Sequence, residues 1–314
     1  MNYCSKPTGS QVNRTPGMCT HGVFVMLLIL MLSGIAKADE ISAAAAMESP
    51  DNPLFLLSTS RGNIYIEMLP DEAPANTANV MALAQGEIEL TDAANDFTFQ
   101  PRYYDGMRFH RVMPGFVIQT GSPAYHSLGA PDAILDDEIS ASALQLDQEP
   151  LLNIDGSVNE LLQITDHEEF GDAVLNPLYA SMGIDSVSEL EQQQFNVMER
   201  LKSLSIQDVY ELQGYSYDDS LATRPVTRGI VAMANRGPDT NGPEFFIALA
   251  DLPSLTGKYT VIGQVVEGMA VVDQIGSVPV DPQQFSRNSS VIYSFEQVNQ
   301  TATTTQSNAA NQGF

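Results

Sequence analysis

Between Leu54 and Met68, apolar and polar residues alternate in two short runs flanking Ser60-Arg61-Gly62-Asn63, with Ile64, Ile66 and Met68 on one face at period two. That pattern predicts a β-hairpin. Pro74 opens a stretch in which Val80, Met81 and Ala84 recur at helical spacing, and Gly86 closes it, so a helix is predicted over 74–84. Further strands are predicted over 109–113, 116–120, 229–234, 245–250 and 260–266, and a short helix over 269–275. Many short strands, few helices and no strand–helix alternation favour a barrel or sandwich over a parallel sheet.

The character changes over 145–214, where Gln, Glu and Leu at helical period replace Gly and β-branched residues. Ser188-x-x-Glu191 is a candidate capping box, and Leu190, Val197, Met198, Leu201 and Leu204 share one helical face. A second helix is predicted to start at Ser205, with Asp208 three residues on, and to stop at Gly214. The expectation is a helical insertion, 145–214, interrupting a β domain over 51–298. Its apolar stripe would pack within the insertion or against the β domain, and binding of an unidentified protein is the alternative. The end of the chain is rich in Thr, Gln, Asn and Ala without apolar period, so a disordered tail is expected over 299–314.

Ahead of the hairpin, the first 38 residues hold Lys6, Arg14 and Lys37 but no acid, and Val23 to Ile35 form an apolar run broken only by Ser33 and Gly34. The layout is that of a secretory leader, and Ala36-Lys37-Ala38 supplies the small-x-small cleavage pattern. The run is shorter than the about 20 residues that span a bilayer. Cleavage after Ala38 is expected, with an uncleaved anchor as the alternative; in the first case no stable membrane insertion remains. Both cysteines, Cys4 and Cys19, would leave with the leader, so no disulfide framework or thiolate metal site is expected in the mature chain. The leader fits export, to a bacterial periplasm best.

Charge narrows the partners. The whole chain carries 39 acidic against 14 basic residues, a net of −25, and loss of the leader leaves 11 basic residues and a net of −28. Phosphate recognition needs clustered Lys and Arg, so nucleic acid is not an expected partner. His110, His126 and His167, the histidines outside the leader, lack metal-ligand spacing, and no activated Ser or Cys arrangement is visible. Asp136, Asp137 and Glu138 read as a solvated loop or, alternatively, a cation-attracting cluster. No metal or cofactor is expected.

Two motifs carry more. Residues 109–121 read FHRVMPGFVIQTG and residues 232–247 read AMANRGPDTNGPEFFI. Tyr104-Asp105-Gly106 precedes the first, Arg228-Gly229 the second, and Leu255-Thr256-Gly257-Lys258-Tyr259 and Val261-Ile262-Gly263 follow. In these residues the chain resembles the cyclophilin family of peptidyl-prolyl cis-trans isomerases, over roughly 54–144 and 215–272. The resemblance implies a mainly β fold, a closed eight-stranded antiparallel barrel capped by two helices, with an active groove on its outer surface. It also implies an activity on proline-containing segments, here of exported polypeptides. An X-Pro bond turns slowly because amide resonance sets a barrier of about 18–20 kcal/mol. A fixed donor aimed at the prolyl nitrogen stabilises only the twisted amide, and a rigid, permanently charged guanidinium suits that role.

By the resemblance, Arg111 is that donor. Phe116, Val117, Phe246, Leu255 and Tyr259 would form the proline pocket, Gln119 and the backbone at Asn235 would hold peptide groups, and His110, Met233 and Ala234 would lie at the groove edge. Three features depart from the family pattern. Glu244 stands where Gln is usual, and a carboxylate there could pair with Arg111 and mis-aim it. Ser254 stands where many members place an indole, which predicts weak binding of the cyclic peptide cyclosporin. The insertion lies between the two motifs, where it could screen the groove, extend it or bind a partner. The rival expectation is a binding module or chaperone of the same fold with little turnover.

Overall fold

The computed structural model describes residues 39–92, 97–126, 129, 131, 133–281 and 289–299. The expected leader (1–38) and the expected tail from residue 300 on lie outside them. The short helix α1 (Glu40–Ala46) comes first, capped by the Asp39 carboxylate, which accepts from Ser42 N at 2.8 Å. The hairpin follows as β1 (Leu54–Thr59) and β2 (Gly62–Met68). Helix α2 (Pro74–Gln85) starts on proline and ends at Gly86, whose φ of +75° suits a residue without a Cβ. Its first amides, Ala75 N and Asn76 N, donate to Glu138 at 2.9 and 2.8 Å. A small hairpin, β3 (Leu90–Asp92) and β4 (Phe97–Phe99), stands apart from the main sheet.

The next strands are β5 (Arg111–Met113) and β6 (Val117–Thr120). Helices then fill the chain: α3 (His167–Phe170) runs through one π-helical turn, Gly171–Leu175, into α4 (Asn176–Ser181), followed by α5 (Val187–Ser203) and α6 (Ile206–Leu212). They close on a core of their own, with Leu151, Val174, Leu178, Leu201, Leu204 and Val209 buried together. The chain returns to the sheet as β7 (Ile230–Met233), β8 (Phe245–Ala248), β9 (Val261–Glu267), helix α7 (Met269–Gly276) and β10 (Ile292–Gln297).

The main sheet has eight antiparallel strands in the order β10-β1-β2-β9-β7-β8-β6-β5. It is a strongly curled half-barrel and not the closed barrel that the resemblance implies. Among the described residues the edge strands β5 and β10 share no ladder; only Arg108 and Val291, just outside them, form an isolated bridge. The reason lies in β5, which is three residues long. At its centre, Val112 exchanges both of its backbone hydrogen bonds with Val280, at 2.9 and 3.1 Å, leaving that edge no groups for β10.

Inside the curl, α2 and α7 send Val80, Leu83, Val272 and Ile275 into one core with Phe55, Ile66, Phe109, Ile118 and Phe295. Strands β7 and β8, behind the groove, are buried on both faces. Phe245 and Ile247 of β8 point into this core, whereas Phe246 and Ala248 join Val117, Ala232 and Val261 in a second apolar cluster on the outer face.

Candidate active site

Pairing registers place Arg111 opposite Gln119, Gln119 opposite Phe246, and Phe246 opposite Ala232, a row across β5, β6, β8 and β7. With period two along each strand, this row faces outward. A cavity of about 220 Å³ opens there, lined by Arg111, Phe116, Val117, Gln119, Ala234, Asn235, Phe246, Leu255 and Tyr259. Val117 and Phe246 are almost fully buried and form its apolar floor, and Tyr259 meets Phe246 edge to face at 5.5 Å between centroids. Asn235 is fixed by its side-chain amide, which donates to Lys258 O at 2.9 Å.

A second cleft of about 630 Å³ adjoins the first and shares Arg111, Gln119, Ala234 and Asn235 with it. His110 and Glu244 line this cleft instead, together with Ser122, Tyr125, Ile134, Arg236 and Thr240. Met233 lines neither and is a correction. It is 0% exposed and belongs to the interior core opposite Phe245, because Ala232 and Ala234 take the outward positions on either side of it.

Polar side chains join the two spaces in one chain. Arg111 Nη1 donates to Gln119 Oε1 at 2.9 Å, Gln119 Nε2 donates to Glu244 Oε1 at 2.6 Å, and His110 Nε2 lies 2.8 Å from the same oxygen. Glu244 therefore does not pair with Arg111, and Arg111 forms no ion pair among the described residues. Burial pushes the Glu244 carboxyl up, but the hydrogen bond and charge of His110, with Gln119 and Ser122, outweigh it and hold it below the usual carboxylate value. Its backbone is equally determined. Tyr104 Oη donates to Pro243 O at 2.8 Å, Ala234 N donates to Glu244 O at 2.8 Å, and a Cβ on Gly121 (φ +86°) would collide with Pro243 O.

Asp137, read from the sequence as part of a solvated loop or cation-attracting cluster, is instead a framework residue of the site. Its carboxylate accepts from Asn241 Nδ2 at 2.9 Å, Asp239 N at 3.0 Å and Asn235 Nδ2 at 3.5 Å, tying down the 235–241 loop that walls both spaces. With Glu138 capping α2, two of the three adjacent acids are hydrogen-bond acceptors of the framework. The sequence signal was the run of acids itself, but nothing in it named their partners. Among the described residues no group of three His, Cys, Asp or Glu is placed to hold a metal ion.

A family model described as "Cyclophilin type peptidyl-prolyl cis-trans isomerase/CLD" matches residues 54–297. The chain belongs to the cyclophilin family. It is similar to peptidyl-prolyl cis-trans isomerase B of Streptomyces anulatus, 28% identical over 229 residues covering 72% of this chain and 85% of that one. It is similar, too, to the isomerase ppi1 of Schizosaccharomyces pombe, 26% identical over 225 residues covering 72% and 86%. A crystal structure of a cyclophilin-type isomerase from Cryptosporidium parvum superimposes with a TM-score of 0.45 at 18% identity, covering 79% of this chain and 98% of that one. This cyclophilin is accordingly a peptidyl-prolyl cis-trans isomerase, EC 5.2.1.8, acting on proline-containing peptides.

Proposed function

We propose that this cyclophilin isomerises X-Pro bonds in exported polypeptides, with Arg111 as the donor that stabilises the twisted amide. The observation that carries the reading is the placement of Arg111 at the rim of a cavity with an apolar floor, its guanidinium oriented by Gln119 and free of any carboxylate among the described residues. A proline ring seated on Phe246 and Val117, against Leu255 and Tyr259, is held while the preceding carbonyl turns. As resonance is lost, the prolyl nitrogen gains a lone pair, and a guanidinium N–H beside it lowers the energy of that state alone. Arg111 thus needs no proton transfer and no covalent intermediate.

Glu244 supports this geometry. As an acceptor only, it draws Gln119 Nε2 toward itself and leaves Gln119 Oε1 facing Arg111. The ground for expecting a mis-aimed arginine falls away. Export is supported by the basic-then-apolar leader and by a mature chain without thiols. Folding chains with slow X-Pro steps supply the need for the activity.

The test is acceleration of cis–trans isomerisation in a proline tetrapeptide by the chain from residue 39 onward. The wild type accelerates it, and Arg111→Ala loses about 100-fold in kcat/KM, the scale of losing one transition-state donor. A folded wild type without acceleration would contradict the proposal.

A further inference from the structure

The stretch from Pro253 to Tyr259 supplies two walls of the proline cavity, Leu255 and Tyr259, yet its only regular structure is one 3₁₀ turn, Pro253–Leu255. Two of its ties come from the β domain: Asn235 Nδ2 donates to Lys258 O at 2.9 Å, and Val226 N donates to Thr256 Oγ1 at 3.1 Å. The Tyr259 ring also meets Phe246 of β8, and further ties come from the helical segment and the stretch that leaves it. Tyr217 Oη donates to Gly257 O at 3.0 Å, and the Tyr210 ring of α6 lies 5.1 Å from Lys258 Nζ. Gly257 has φ +84°, and a Cβ there would sit 2.6 Å from Leu146 Cδ1 and 3.3 Å from Tyr210 Cε2, so both side chains press on the bare backbone. The turn Glu160–Leu162 packs on Pro253–Leu255, where Ser254 is 4% exposed.

These contacts share a purpose that a free-standing module would not need. Tyr210 is fully buried with Ala141, Leu146 and Ile206 in a small cluster that also takes in Tyr215 and Tyr217, separate from the main core of the helices. We propose that the insertion, together with the stretch that leaves it, is a buttress of the proline pocket, with Tyr210 of α6 and Tyr217 just beyond the insertion as positioning residues. They fix the backbone at Gly257 and Lys258, between Leu255 and Tyr259, and so set how tightly the ring is held. The inference rests on the reading of this cavity as the proline pocket. A pocket that grips the ring in both the planar and the twisted state contributes uniform binding, so loosening it raises KM and leaves kcat in place.

Steady-state kinetics on the proline tetrapeptide, with folding checked by circular dichroism, separate the two parameters. Tyr217→Phe, which removes one hydroxyl and little volume, raises KM by about threefold to tenfold with kcat within about twofold, as does Tyr210→Leu. Tyr210→Phe, which keeps the ring on Gly257 and under Lys258, retains the wild-type KM. Should Tyr210→Leu not fold, Tyr217→Phe decides alone. An active wild type with unchanged KM in Tyr217→Phe, or a fall in kcat at constant KM, would overturn the buttress. An inactive, folded wild type would instead remove the pocket reading and this inference with it.

Discussion

At Glu244 one side chain decides how several others point. One carboxylate oxygen accepts from Gln119 and faces His110 at once, and protonation of the acid would remove the negative charge that strengthens both contacts. His110 just before β5, Arg111 from β5, Gln119 from β6, Ser122 beyond it, and the buried Tyr103 phenol are the polar groups around it. Because its pKa is held below the usual carboxylate value, the acceptor form persists through the neutral range and into mild acid. It is lost only as pH falls through that lowered value. We predict an acid-side fall in kcat/KM in the wild type that Glu244→Gln lacks, with neutral-pH activity changed by less than about tenfold. A pH–rate profile, read where circular dichroism shows intact fold, checks this; an identical acid limb in both proteins would contradict it. At this scale the two motifs made most of the site legible, because Arg111, Gln119 and Phe246 lie in them at strand spacing. Met233 was misplaced because a motif lists neighbours, whereas the pleat sends alternate neighbours to opposite faces.

Among the elements, legibility followed periodicity. The β1–β2 hairpin, α2 and α7 have clean alternation or helical spacing, and they stand close to where the pattern puts them. Strand β10 escaped notice because its buried residues, Ile292 and Phe295, are three apart: the register with β1 shifts between Ser58 and Thr59. The β3–β4 hairpin sends Leu90 into the core but leaves Phe97 exposed and stacked on Phe99, and α1 buries only Ala43, so neither writes an apolar period into the sequence. Helix α5 begins two residues earlier than expected. Ser-x-x-Glu occurs at both 186 and 188, and it is Ser186 with Glu189 that closes the reciprocal box; Met198, expected on the buried face, is about half exposed. The second helix starts at Ser205 with Asp208 as expected.

Glu67 of β2 belongs to this scale too. It is fully buried and accepts from Glu48 N, Ser49 N, Asn52 Nδ2 and Gln264 Nε2 at 2.8–3.0 Å, joining the segment after α1 to β2 and β9. Burial raises its pKa, but these four donors outweigh it and the net shift is downward. Its stabilisation is therefore present above the unfolded value of 4.5 and lost as pH falls through the lower folded value. Glu67→Gln should cost about 2–3 kcal/mol at pH 7 and flatten the loss of stability in acid. Urea melts across pH measure both, and equal stability of the two proteins at pH 7 would exclude the role.

Over the whole molecule, a half-barrel turns one apolar face inward as a core and leaves the other to carry a groove. The helical segment then packs on the groove's least structured wall. The sequence could place the helical segment between the two motifs but not onto Pro253–Tyr259, because packing across 40 or more residues of chain leaves no local period. All of this geometry matters to function only if Arg111 acts on the twisted amide. Exchange NMR on a saturating proline tetrapeptide measures cis–trans interconversion on the protein separately from affinity. The account predicts that Arg111→Ala slows the bound-state interconversion by about 100-fold or more while the peptide Kd changes by less than about threefold. An unchanged bound-state rate, or a loss of affinity as large as the loss of rate, would contradict it.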